Sequence, residues 1–160
     1  MRLESTPGRG TVVEALFPLE GPASEGEEEG VVASPADGMS GSLLVVDDEE
    51  LVREVAVEIL QVSGYEVHAA ESGEKALDTF EQHGDEIALV LLDFTMPGLG
   101  GEATFRALRE KCPDLPIVVM SGLMKDELKD LLSEDAGPNQ HLQKPFEMKD
   151  LAETVAQLLT

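Results

Sequence analysis

The sequence contains no tryptophan, one tyrosine and five phenylalanines, so aromatic residues make up only 4% of the chain. One cysteine, Cys112, excludes an internal disulfide framework and suits a reducing compartment. Basic residues are scarce. Eleven Lys and Arg against 33 Asp and Glu leave a formal charge of −22. That balance has nothing to neutralise a row of phosphates, which excludes a nucleic-acid binder, and it argues against a peripheral protein on anionic lipid. The longest unbroken apolar run, 87–92, falls far short of the ~20 residues that span a bilayer. No apolar stretch at the N-terminus has the form of a signal peptide. These absences predict a soluble, cytoplasmic protein without membrane contact. The 42% of apolar residues suffices for one core.

The composition shifts sharply near residue 41. Residues 21–41 read GPASEGEEEGVVASPADGMSG. Only Val31, Val32 and Met39 could enter a core, so the stretch cannot offset its ordering entropy and is predicted to be a disordered acidic linker. Before it, residues 1–20 hold two β-prone runs around a Pro-Gly-Arg-Gly turn, the pattern of a hairpin. A lone two-stranded hairpin is marginal in water and looks like the remnant of something larger.

From residue 42 to 160, short apolar runs at 43–46, 65–70, 87–92, 116–120 and 141–143 alternate with amphipathic segments. The third and fourth are apolar almost throughout, as strands buried on both faces of a parallel sheet are. Val52, Val55, Ala56, Ile59 and Leu60 form a helical stripe, and so do Met148, Leu151, Ala152, Val155, Leu158 and Leu159. Gly64, Gly84 and Gly137 follow helical segments, where a left-handed stop is expected, and Pro113 stops the third helix. Strict alternation predicts an α/β fold, a doubly wound five-stranded parallel sheet with five helices on its two faces.

In such a sheet ligands bind beyond the carboxyl ends of the strands. Asp47, Asp48, Glu49 and Glu50 follow the first run, Asp93 the third, Ser121 the fourth and Lys144 the fifth. Each alone has an ordinary reading: helix-capping acids, a turn residue, an N-cap hydroxyl, a solvated lysine. Together they put carboxylates, a hydroxyl and an ammonium on one edge of the fold. Clustered carboxylates repel one another unless a cation intervenes, and Mg2+ is suited to carboxylate, water and phosphate oxygens. An aspartate can itself be the nucleophile that accepts a phosphoryl group, whose oxygens then need positive charge and donors around them.

The segments LLVVDDEE, LLDFTMPGLGG, PIVVMSG and HLQKPF closely resemble the receiver domain of two-component response regulators, over residues 42–160. The resemblance implies a flavodoxin-like strand order 2-1-3-4-5. It implies Asp93 as phospho-acceptor, with Mg2+ held by Asp48 and Asp93 directly, by Asp47 through water, and by the backbone carbonyl of Thr95. It implies Ser121 as switch hydroxyl and Lys144, before the cis position Pro145, as the family's lysine. At His141 the family usually has Tyr or Phe, so the aromatic switch is replaced by an imidazole. Residues 4–19, ESTPGRGTVVEALFPL, resemble the final hairpin of a histidine-kinase ATPase domain, which points to the C-terminal end of a hybrid sensor histidine kinase. Its kinase core is absent from these residues.

The implied function is phospho-acceptance from a histidine kinase or phosphotransfer protein, which switches a partner-binding surface. The chain is then not an enzyme in its own right, although it assists its own phosphorylation and dephosphorylation; its oligomeric state stays open. One alternative is an interaction module that keeps the fold without phosphorylation. Another is an aspartate-nucleophile phosphatase of the haloacid-dehalogenase type, against which stands Thr95, where that class needs a second Asp. His68 and His83 read as ordinary surface or edge residues, Cys112 and Met96 as packing residues.

Overall fold

The computed structural model describes residues 2–5 and 11–14 as backbone, and 41–122 and 126–160 in full. Residues 21–40 of the expected linker and the turn at 7–10 lie outside the described residues. Strands β1 (Arg2–Ser5) and β2 (Thr11–Glu14) pair antiparallel, with Arg2 opposite Glu14 and Ser5 opposite Thr11.

From Ser42 the elements run β3 (Ser42–Val46), α1 (Glu50–Val62), β4 (Glu66–Ala70), α2 (Gly73–His83), β5 (Ile87–Asp93), α3 (Gly100–Lys111), β6 (Ile117–Ser121), α4 (Asp126–Glu134), β7 (Asn139–Gln143) and α5 (Met148–Leu159). The five strands form one parallel sheet in the order β4-β3-β5-β6-β7. Counted within this sheet, that is the expected 2-1-3-4-5. Among the described residues no helix is long and apolar enough to cross a membrane.

Side chains alternate across the sheet with a period of two. Leu44, Val46, Val90, Leu92, Ile117 and Val119 face α2, α3 and α4, where Ala76, Phe80, Phe105, Leu108 and Leu128 meet them. Leu43, Val45, Leu89, Leu91, Val118 and Met120 face α1 and α5 through Ala56, Ile59, Leu60, Leu151 and Val155. Most of these side chains are fully buried. Each Val, Leu, Ile, Phe or Met among them contributes about 1.5–3 kcal/mol of transfer free energy. This two-sided burial explains why the central strands read as continuous apolar runs.

Local signals set the helix ends. The Ser72 side chain caps α2 by accepting the Lys75 N–H at 3.3 Å, and Glu147 and Asp150 form a capping box at the start of α5. Gly64 takes the expected left-handed conformation, with φ of 90°. Gly84 and Gly137 do not, contrary to expectation. Gly84 has φ of −55°, and a Cβ there would lie 2.5 Å from the Phe80 carbonyl oxygen. A Cβ on Gly137 would collide with the Arg109 guanidinium. Close approach, not backbone handedness, demands glycine at both.

Arg109 ties the amino ends of β6 and β7. Its Nη1 donates to the carbonyls of Pro113 and Leu115 at 2.7 Å each, and its Nη2 to Asp135 Oδ2 at 2.7 Å and the Pro138 carbonyl at 3.4 Å. The guanidinium carbon lies 5.4 Å from the centre of the Phe105 ring.

Two apolar stripes depart from their expected burial. Val55 is 51% exposed and Met148 60%, whereas Ala56, Ile59, Leu60, Leu151 and Val155 are buried as the period requires. Met96 is buried in its loop, and Cys112 packs partly buried against the core at the end of α3.

Candidate functional site

β3 is buried at every position, and the chain leaves the sheet immediately after Val46. Asp47 is therefore fully buried while Asp48 is exposed. The Asp47 N–H donates to the Ala70 carbonyl at 3.1 Å, and its own carbonyl accepts Arg53 Nη1 at 2.7 Å. Its Oδ1 accepts the Glu49 N–H at 2.9 Å, which satisfies one donor at the entry to α1. The remaining oxygen, Oδ2, accepts Lys144 Nζ at 2.6 Å. Arg53 was not anticipated from the sequence. Its signal was a basic residue one turn into α1, indistinguishable there from a solvated side chain.

Asp93 is the last residue of β5, not the first of the following loop, and is 3% exposed. Its Oδ1 accepts the Thr95 N–H at 3.0 Å, and its Oδ2 lies 3.1 Å from Lys144 Nζ. The Phe94 N–H donates to the Met120 carbonyl at 2.8 Å, which fixes the chain where it leaves the sheet. Carboxylate oxygens of Asp47, Asp48 and Asp93 lie within 4.8 Å of one another.

Parallel register brings the other groups to the same edge. Asp93 pairs with Met120, and Ser121 pairs with Gln143, one residue before Lys144. Ser121 is 2% exposed, and its Oγ lies 2.9 Å from His141 Nε2. The Ser121 carbonyl accepts the Lys144 N–H at 2.8 Å, and the Lys144–Pro145 peptide is cis. Asp48, Thr95, Gly122 and Lys144 line a cleft with Leu51, Val52, Val55 and Phe146.

Burial raises the Asp47 pKa above its ordinary value, although the hydrogen bonds from Lys144 and Glu49 pull the other way. Burial also works against a charged Lys144. Here the Asp47 hydrogen bond and the charges of Asp93 and Asp47 outweigh it, so its pKa is raised and the ammonium persists. The two directions are compatible, because Lys144 has two carboxylates beside it whereas Asp47 has one lysine. Burial lowers the His141 pKa. A cluster of hard oxygen donors with more negative than positive charge fits Mg2+.

The sequence profile of the response regulator receiver domain matches residues 43–156, and the chain belongs to that family. The sensor kinase CckA of Brucella abortus is 35% identical over 164 residues, a match that spans 98% of this chain and 17% of that protein. The response regulator MprA of Mycolicibacterium vanbaalenii is 37% identical over 118 residues, 73% of this chain and 49% of that protein. This chain thus spans less than half the length of either relative. The chemotaxis protein CheY4 of Vibrio cholerae superposes with a TM-score of 0.69 at 26% identity, covering 74% of this chain and 98% of that one.

Proposed function

We propose that the chain accepts a phosphoryl group on Asp93 in a two-component phosphorelay, as a receiver behind a sensor histidine kinase. The observation that carries this reading is the placement of Asp93 Oδ2 3.1 Å from Lys144 Nζ, at the end of the central strand and beside two further carboxylates. The P–N bond of a donor phosphohistidine breaks as a bond from phosphorus to an Asp93 oxygen forms. The released electron pair goes to the imidazole nitrogen of the donor. Lys144 holds positive charge against the phosphoryl oxygens, where a compact ammonium acts as a point charge. Ser121 offers its hydroxyl to them, which ends its contact with His141 and leaves the imidazole to take a new position. Asp48, Asp93 and the Thr95 carbonyl would hold Mg2+ directly, and Asp47 through water. When bound, that ion neutralises the carboxylates and the oxygens in transfer.

The exposed Leu51 and Val55 beside the cleft favour a protein as the donor, a histidine kinase or phosphotransfer protein, because they offer it apolar contact next to the reacting carboxylate. A cytoplasmic setting follows from such a donor. Intact-mass measurement of the full chain after incubation with a small phosphodonor and Mg2+ tests the proposal. One acid-labile phosphoryl group, lost in Asp93→Asn, is the expected result. Steady turnover of phosphate monoesters without a phosphorylated protein would instead establish a phosphatase, and no addition at all a phosphorylation-independent module.

A further inference from the structure

Away from the acidic cleft, three metal-ligating side chains converge at the opposite end of the sheet. His68 lies on the edge strand β4, in register with Leu44. His83 is the last residue of α2, and Glu86 immediately precedes β5. One ring nitrogen of each histidine and a Glu86 oxygen lie within 4.8 Å of one another. The two imidazoles stack, with centroids 4.7 Å apart and planes 20° from parallel. His83 Nδ1 lies 3.6 Å from Glu86 Oε2. His68 Nε2 is buried and meets no hydrogen-bond partner among the described residues. His68 on an edge strand and His83 at an exposed helix end agree with their reading as surface or edge residues, and the fold brings the two together.

We propose that His68, His83 and Glu86 form a binding site for a borderline transition-metal dication, Zn2+ being the natural probe. Two imidazoles and one carboxylate are a donor set that Zn2+ takes, with a fourth position left for water. A buried nitrogen without a partner loses its hydration for nothing, and a metal bond removes that penalty. The backbone holds two of the ligands in place. The Glu86 N–H donates to the His83 carbonyl at 2.9 Å, and the Glu86 carbonyl accepts the Ser42 N–H at 2.7 Å and the Ser42 hydroxyl at 3.3 Å. Bonds of about 2.0–2.1 Å require the donor atoms of a tetrahedral site to close to roughly 3.4 Å. The exposed side chains of His83 and Glu86, 42% and 72% accessible, have the freedom to make that closure. The net charge of −22 concentrates cations around the chain. A bound ion would join the end of α2 to the edge strand and the entry to β5.

The test is calorimetric titration of the full chain with Zn2+ in saturating Mg2+, which keeps the acidic cleft occupied, together with NMR of the imidazole nitrogens. One Zn2+ equivalent should bind, and the ring signals of His68 and His83 should shift together while those of His141 stay in place. His83→Gln and Glu86→Gln lie at exposed positions that tolerate change, and each should weaken binding at least tenfold; Asp93→Asn should not. The proposal is overturned by ring signals that do not move, by unchanged affinity in either variant, or by Zn2+ binding that disappears with Asp93→Asn.

Discussion

Two buried cation–carboxylate contacts sit at opposite ends of one sheet, and they are built differently. At the amino ends of β6 and β7, Arg109 meets one carboxylate, Asp135, and otherwise fixed carbonyls. Both side chains are largely buried, at 14% and 7% exposure. Both terminal nitrogens of Arg109 are partnered, and its buried Nε meets no hydrogen-bond partner among the described residues. At the carboxyl ends, Lys144 meets two carboxylates, Asp47 and Asp93, with Asp48 alongside. A planar fork locked into backbone acceptors suits a structural tie, whereas a single point charge among three acids leaves charge unbalanced. The amino end is built to stay as it is, the carboxyl end to receive something.

The largest effect expected at the carboxyl end is chemical. Asp93→Asn should abolish phosphorylation by a small phosphodonor, since an amide is not a competent nucleophile. Intact mass reads this directly, and a normal yield of phosphorylated variant would remove Asp93 from the site. At the amino end the largest effect is on stability. Arg109→Ala removes the cation beside the buried Asp135, which keeps the Asn139 Nδ2 donor at 3.0 Å, and the side-chain donor to the Pro113 and Leu115 carbonyls, and should cost about 3–5 kcal/mol in denaturant unfolding. Lys144→Ala should cost less, because the acidic cluster can take up a proton in place of the ammonium, and should slow phosphorylation by about a hundredfold. If Lys144→Ala were the more destabilising, the division of labour between the two ends would be wrong.

Val55→Glu sharpens the contrast further. It should leave phosphorylation by a small donor unchanged and weaken transfer from a protein donor about tenfold, the size of one good interface contact. Equal rates from both donors in variant and parent would show that the α1 face does not dock the donor.

The smallest effect is a pH dependence. Burial depresses the folded-state pKa of His141 below the ordinary 6.5, so the unfolded chain binds the proton more tightly. The contribution is fully present above pH 6.5 and is lost as pH falls through the lowered folded value. His141→Gln should flatten that part of the stability profile, measured by urea unfolding. An unchanged slope would show that the Ser121–His141 contact carries no proton linkage.

The strand pattern and the residues at the carboxyl end were readable because both follow from local rules. Residues 87–92 had to be a buried strand, and Asp93 had to stand at its end. The Arg109 tie was not readable, because its partner Asp135 is 26 residues away and no spacing joins them. The same holds for His68 and His83, which meet only once β4 and α2 are folded onto one face. Val55 failed for another reason. Its stripe has the right period, but the α1 face it occupies opens onto the cleft and not onto the core. Gly137 has the sequence context of a helix stop, and only the course of the Arg109 side chain shows why nothing larger fits.

The order of strands has a consequence for what the folded chain hides. The outer strands, EVHAA in β4 and NQHLQ in β7, carry charged, imidazole or amide side chains, while the more apolar SLLVV, IALVLLD and IVVMS lie between them. The three aggregation-prone segments are thus shielded by neighbours that make poor templates for a further strand. Fraying at the β7 border would release an amide-rich ribbon, not a sticky one. Loss of a border strand, by contrast, would bare the edge of an apolar strand capable of forming cross-β contacts with another copy.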